Sequence, residues 1–418
     1  MNDRQGSPAA RERTCPVGSS FALCSFAALC AWQVQAQSSS AGIETIVDSF
    51  VGRQMDSASI VGLSIGIVRN GEVLLTKGYG ERELGSGHLF TADIISPISS
   101  ISKLFTATAI MQLVEQGRIR IEDRVVVHLP EFTLRDRRYD RITIAQLLTH
   151  ASGLPWDHEM KRAPQDSTAL AAFVIDMARS VRLQFDPGGR FDGSTYSNAG
   201  YDLLGLIIER VSGECFERYV SEHVFNVVGM PDATYDEGTI ALDDRTMPHE
   251  VIGNSGSVHR LNQFGMEDPD HPIRGHGTLM VQKAVRKEIG REHGPSGGTL
   301  TNVRDLSVWM AHLLRIHGDS SFIPPVAVLQ HATLERMWTV QRDIPGKRTA
   351  IGIGWWSYRD PVLGRYVFHV GRDPGYCSVL LVLPDLGIGV VVLCNGMYAD
   401  ETVWNVIGPG IAKLVLQN

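Results

Sequence analysis

Strand-like stretches occur at the two ends of this chain, with helical patterns between them, so any sheet must be assembled from distant segments. Near the start, VGLSIGIV and EVLLTKGYG flank Arg69-Asn70-Gly71, and Asn-Gly between two apolar runs is a hairpin signal. Near the end, IGIGWWSY, RYVFHVG, YCSVLLVL and IGVVVLC each read as a strand. Between them, TIAQLLTH, YDLLGLIIERVSG and DLSVWMAHLLRIHG have helical spacing, as do GIETIVDSFVGRQM and the segment Glu401 to Leu416. The expected class is α/β of the α+β kind: one antiparallel sheet built from N- and C-terminal segments and flanked by helices, with a mostly helical domain inserted. The boundaries expected are 41–110 and 295–418 for the sheet domain and 111–294 for the insert. Residues 235–296, polar and rich in His, Gly, Asp and Pro, read as an excursion of long loops.

With 418 residues, 43% hydrophobic and 20% charged, the chain has the composition of a soluble globular protein. Its net charge of -7 comes from both signs scattered along the chain, and no basic stripe points to a nucleic acid partner. The first residues follow other rules. Arg11 and Arg13 precede an apolar or small run from Val17 to Trp32, and Val34-Gln35-Ala36 supplies small residues at -3 and -1 of a signal-peptidase site. A signal peptide over 1–36 is therefore expected, with a periplasmic or secreted mature chain; a buried first helix or a misassigned start codon is the alternative. The run falls short of the ~20 residues that span a bilayer, so no stable membrane insertion is expected after cleavage. Leu23 and Leu29 before Cys24 and Cys30 disfavour lipid attachment. Cleavage leaves Cys215, Cys377 and Cys394, and a two-residue loop at Asp385-Leu386 would set Cys377 opposite Cys394, where the chain's one bridge could form.

The stretch SSISKLFTATAIMQL, 99–113, places three serines before a lysine at the start of a helix that is apolar nearly all round. The helix is expected over Ser100 to Gln116, stopped by Gly117. A serine hydroxyl needs a neighbouring base before it can attack a carbonyl, and on a helix the residue three positions on shares its face. Of the chain's seven lysines only Lys103 has a serine three before it, namely Ser100. The first-turn N–H groups would point at the charge that develops on attack. Ser-x-x-Lys also arises by chance, and serines before helices are usually N-caps. The weight comes from a lysine in the first turn of a buried helix, which requires a partner or a depressed pKa.

Tyr196-Ser197-Asn198 forms a second group: beside a lysine a phenol can serve as base, and an amide can hold lysine and substrate together. A third is HVGRDPGY, 369–376, where His369 faces a cleft and Gly371 lets a substrate carbonyl approach the strand. Two G-x-S-x-G matches, around Ser64 and Ser296, lack the strand-then-helix context of a nucleophile elbow. Among 14 histidines there is no H-E-x-x-H, and His249-Glu250 has no second histidine.

Taken in order, Ser100-x-x-Lys103, Tyr196-x-Asn198 and His369-x-Gly371, with ITIAQLLTHASGLP, YSNAGY, GIGW and VVVLCN around them, resemble the serine β-lactamase and penicillin-binding protein superfamily. The likeness is greatest to the class C-related group that includes carboxylesterases and D-amino-acid peptidases, and it covers roughly residues 43–417. It implies a β-lactamase/transpeptidase-like fold and an acyl-enzyme mechanism without metal or cofactor, acting on a small ester, peptide or β-lactam. It makes Ser100 the nucleophile and gives its proton to Lys103 with Tyr196, leaving open which is the immediate base. Asn198 would position substrate, and the backbone N–H groups of Ser100 and Arg372 would form the oxyanion hole. Relatives usually carry Lys-Thr-Gly or Lys-Ser-Gly where this chain has His369-Val370-Gly371. The missing cation implies an esterase or peptidase rather than an efficient β-lactamase, and any carboxylate affinity of His369 should grow as pH falls toward ~6. A non-catalytic binding or sensor protein on the same fold is the alternative of another class.

Overall fold

The computed structural model describes residues 42–161, 163–189, 195–251, 281–285, 289–323 and 325–418. The expected signal sequence lies outside them, as does the centre of the 235–296 excursion. Eight strands form one sheet: β1 (Gly62–Arg69), β2 (Glu72–Gly80), β3 (Arg342–Asp343), β4 (Thr349–Ile351), β5 (Trp356–Asp360), β6 (Gly364–Asp373), β7 (Tyr376–Leu383) and β8 (Ile388–Cys394). Their order is β2-β1-β8-β7-β6-β5-β4-β3, and every pairing is antiparallel. Leu63 pairs with Cys394, so the first strand docks on the last, as the patterns at the chain ends require. Arg69 pairs with Glu72 across Asn70-Gly71, the expected two-residue hairpin turn.

β7 and β8 are buried at every residue, which explains why they read as unbroken apolar runs rather than alternating ones. One face carries α4 (Val303–Gly318), whose Ser307 and Met310 press on Gly66 and Gly389. The other carries α5 (Gly408–Gln417), with Gly408 against Val379 and Leu381. Between the N- and C-terminal strands lie α1 (Ser102–Glu115), α2 (Ala169–Ser180) and α3 (Asn198–Ser212). α1 is buried at 11 of its 14 residues, and its Phe105 ring meets Phe225 and Trp309 edge-on, with both centroid distances 5.0 Å.

Three expectations need correction. The α-helix begins at Ser102, because Ser99 is left-handed at φ +53° and Ser99–Ile101 form a 3₁₀ turn instead. IGIGWWSY is two strands rather than one: β4 and β5 pair Ile351 with Trp356 across a tight reversal. The excursion also contains regular structure, since His249–Val251 pairs antiparallel with Val281–Lys283. Cys377 and Cys394 do stand opposite each other, and both are free thiols, as is Cys215. Among the described residues no helix is long and apolar enough to cross a membrane.

Candidate active site

Of the three serines before Lys103, only Ser100 is partly open to solvent. Ser99 is buried in its left-handed conformation, and Ser102 is tied into the fold, donating to Ser99 O at 2.7 Å and accepting from Thr299 N at 3.0 Å. Lys103 Nζ lies 3.0 Å from Ser100 Oγ, so the 3₁₀ turn preserves the relation expected of a helix.

Lys103 has no exposed surface. Its ammonium donates to Ser296 O at 2.5 Å and lies 4.9 Å and 5.5 Å from the ring centres of Tyr196 and Tyr201. Burial lowers its pKa from 10.5 to about 7, against the opposing pull of Asp202, Asp373 and Asp157. Close to half of the amine is then neutral at pH 7 and able to take a proton. Tyr196 is brought to the same place and shares a hydrogen bond with Ser100, but burial pushes its phenol above the usual tyrosine range despite that bond. The phenol is a proton donor at neutral pH, and Lys103 is the stronger candidate base.

Asn198 opens α3 beside Tyr196, and its Oδ1 is buried with no hydrogen-bond partner among the described residues rather than bonded to Lys103. Gly371 sits where β6 crosses the front of Ser100's turn. A Cβ there would fall 2.2 Å from Ile98 O and from Ser378 Oγ, so only glycine lets the strand come this close. The crossing lays the backbone of Gly371 and Arg372 alongside the turn, while the Arg372 guanidinium points away to Asp400 at 3.2 Å. His369 is buried; its Nδ1–H donates to Val370 O at 2.8 Å and its Nε2 has no partner among the described residues. Burial and then the Lys103 charge lower its pKa to about 3, so the imidazole stays neutral at pH 6 and the expected acid-side gain in carboxylate affinity cannot come from it.

Several residues of the site were not singled out from sequence. His150, within LLTHASGLP, packs against Tyr196 with the rings tilted and their centres 4.2 Å apart, and accepts at Nδ1 from Ser197 N–H at 3.1 Å; burial lowers its pKa well below 6.5. Asp202, fully buried on α3, pairs with His293 Nδ1 at 2.9 Å. Burial alone would lower the His293 pKa, but the bond and charge of Asp202 prevail and raise it to about 9. Ser296, whose G-x-S-x-G had no catalytic context, enters through its carbonyl on Lys103.

Comparison with known proteins bears on the family and the fold. The Beta-lactamase family model matches residues 47–406. Protein flp of Staphylococcus aureus strain MW2 is 27% identical over 353 residues, 84% of this chain, and the alignment spans 62% of flp's length. Penicillin-binding protein 4 of Amycolatopsis lactamdurans is 28% identical over 327 residues, 76% of each chain. A solved octameric penicillin-binding protein homologue from Pyrococcus abyssi superposes with a TM-score of 0.68 at 26% identity, covering 90% of this chain and 77% of its own. A Pseudomonas syringae β-lactamase/D-alanine carboxypeptidase shares the fold at TM-score 0.68 and 19% identity, over 90% of this chain and 99% of that one. With a family model covering most of its length and the serine, lysine and tyrosine gathered at one point, the chain belongs to the β-lactamase family of serine hydrolases.

Proposed function

We propose that the protein hydrolyses ester or amide bonds of small substrates through an acyl-enzyme on Ser100, as a carboxylesterase or D-amino-acid peptidase-like enzyme with weak or no β-lactam turnover. The observation that carries this is the 3.0 Å contact between Ser100 Oγ and a Lys103 amine whose pKa lies near 7. Ser100 Oγ attacks the acyl carbon and its proton passes to Lys103 Nζ. The C–O or C–N bond then breaks, and the departing alcohol or amine takes that proton, relayed through the Tyr196 hydroxyl. Water repeats the sequence on the acyl-enzyme and frees the acid. The N–H groups of Ser100 and Arg372 hold the oxyanion, Gly371 leaves room for it, and Asn198 offers its unpartnered Oδ1 to substrate.

The neutral His369 supports the preference against β-lactams, whose carboxylate would find no cation there. The apolar N-terminal run ending in Val34-Gln35-Ala36 supports export, which puts the mature chain in the periplasm or outside the cell. The purified protein should turn over p-nitrophenyl acetate or D-amino-acid p-nitroanilides faster than a chromogenic cephalosporin, and a fluorophosphonate should label it. Ser100→Ala should lose turnover and labelling, whereas Ser64→Ala and Ser296→Ala keep the label. A protein that neither labels nor turns over any of these substrates would be a binding or sensor protein instead, and a strong preference for the cephalosporin would make it a β-lactamase.

A further inference from the structure

The mouth of the site carries two carboxylates that the acyl-transfer chemistry does not use. Asp373 ends β6 and points to the same side as His369 and Gly371, because alternate residues of a strand share a face. It lies one residue beyond Arg372, whose N–H belongs to the oxyanion hole, so its Cα is within about 4 Å of that donor's own. Its carboxylate lies beside the Ser99 side chain, its Oδ2 is buried without a hydrogen-bond partner among the described residues, and the residue keeps part of its surface open. Asp157 stands exposed nearby, and both carboxylates act on Lys103 and on each other. Trp156, also exposed at 39%, lies 4.8 Å from the Tyr196 ring and adds an aromatic face to this mouth.

The cations near these charges have other partners: His293 Nδ1 lies 3.9 Å from Asp157 Oδ1 but bonds Asp202 at 2.9 Å. The Arg372 guanidinium reaches Asp400, and His369 is neutral. Lys103 is committed to Ser100 and Ser296. A substrate carboxylate entering here meets negative charge, while an ammonium meets a half-buried carboxylate with an unused oxygen and an aromatic edge. We propose that Asp373, helped by Asp157 and Trp156, is a recognition site for an ammonium group on the acyl part of the substrate. The enzyme then favours acyl donors with a free amine next to the scissile carbonyl over N-acylated or carboxylate-bearing ones.

This deepens the acyl-transfer function proposed above and rests on it, and inhibition separates the two. D-alaninamide and N-acetyl-D-alaninamide are compared as competitors of p-nitrophenyl acetate hydrolysis, or of fluorophosphonate labelling if the ester is turned over slowly. In the wild type the free amine should compete about ten- to a hundredfold more strongly, the worth of one hydrogen bond to a charged group. Asp373→Asn should shrink that ratio by most of this factor, and Asp157→Asn by less. Equal competition by the two amides in the wild type overturns the proposal whether or not the variants fold, and so does a preference that survives Asp373→Asn in a protein that still labels. Absence of both ester turnover and labelling in the wild type instead removes the acyl-transfer function, and the amine site falls with it.

Discussion

Replacing Asp202 with asparagine should move the pH at which acylation switches on. An ordinary lysine with a pKa of 10.5 is neutral in about one molecule in three thousand at pH 7, whereas Lys103, near 7, is neutral in about half. Burial sets that position, and Asp202 is the foremost group holding it up. Removing its charge takes a stabilising anion from the ammonium, so the Lys103 pKa should fall further, by on the order of one unit for a buried neighbour. Because the neutral amine is the active form, kcat/KM for p-nitrophenyl acetate in the wild type should rise with pH through a midpoint near 7 and then level off. In Asp202→Asn the same limb should lie at lower pH, with labelling at Ser100 showing that the site is assembled. A Tyr196 base would behave differently: its phenol is pushed above the tyrosine range, and its limb would lie beyond pH 9. A wild-type limb above pH 9, or an alkaline shift in Asp202→Asn, would refute the assignment of Lys103 as base.

Three further outcomes follow from the same geometry. Gly371→Ala forces a Cβ within 2.2 Å of Ile98 O and Ser378 Oγ, displacing the Arg372 N–H, and should cost about 10²–10³ in kcat, measured with the p-nitrophenyl ester. The ratio of cephalosporin to ester kcat/KM should rise as pH falls through about 6, where Asp373, its pKa raised by burial, loses its charge. Asp373→Asn should flatten that rise, and a rise that persists there but vanishes in His369→Gln would return the role to the imidazole. The intact mass of protein recovered from the periplasm of a Gram-negative host should correspond to an N-terminus at Gln37; full-length protein confined to the cytosol would reject export.

The parts legible in the sequence were those with a short-range signature. Ser100 and Lys103 stand three apart, so one turn of either helix type joins them, and the difference between a 3₁₀ start and an α start did not matter. The sheet was legible because β7 and β8 are long and apolar, whereas β4 and β5 merged in IGIGWWSY because a tight reversal between short strands leaves no polar break. The second layer of the site was not legible. Asp202 and His293 are 91 residues apart, and nothing in either local sequence announces the other. The group that holds Lys103 is a main-chain carbonyl at Ser296, 193 residues away, and a carbonyl has no residue type to recognise. Asp373 lay in plain view within HVGRDPGY, but its importance depends on which face of β6 meets Ser100, and Gly371's close approach to Ile98 decides that.

The buried lysine remains the point on which the site turns. A fully desolvated ammonium is costly, and a carboxylate in direct contact would relieve that cost at the price of keeping the amine charged and useless as a base. Here the carboxylate that acts most strongly on Lys103, the buried Asp202, bonds His293 through one oxygen and leaves the other without a partner among the described residues, so it acts on Lys103 through space and not through a shared proton. What touches Nζ is neutral: the Ser296 carbonyl, the Ser100 hydroxyl and the faces of Tyr196 and Tyr201. Carbonyl and rings favour the cation moderately, burial opposes it, and the balance falls near neutrality of both pH and amine. A lysine so placed is free both to accept the Ser100 proton and to return it, as the proposed two-step acyl transfer requires at pH 7.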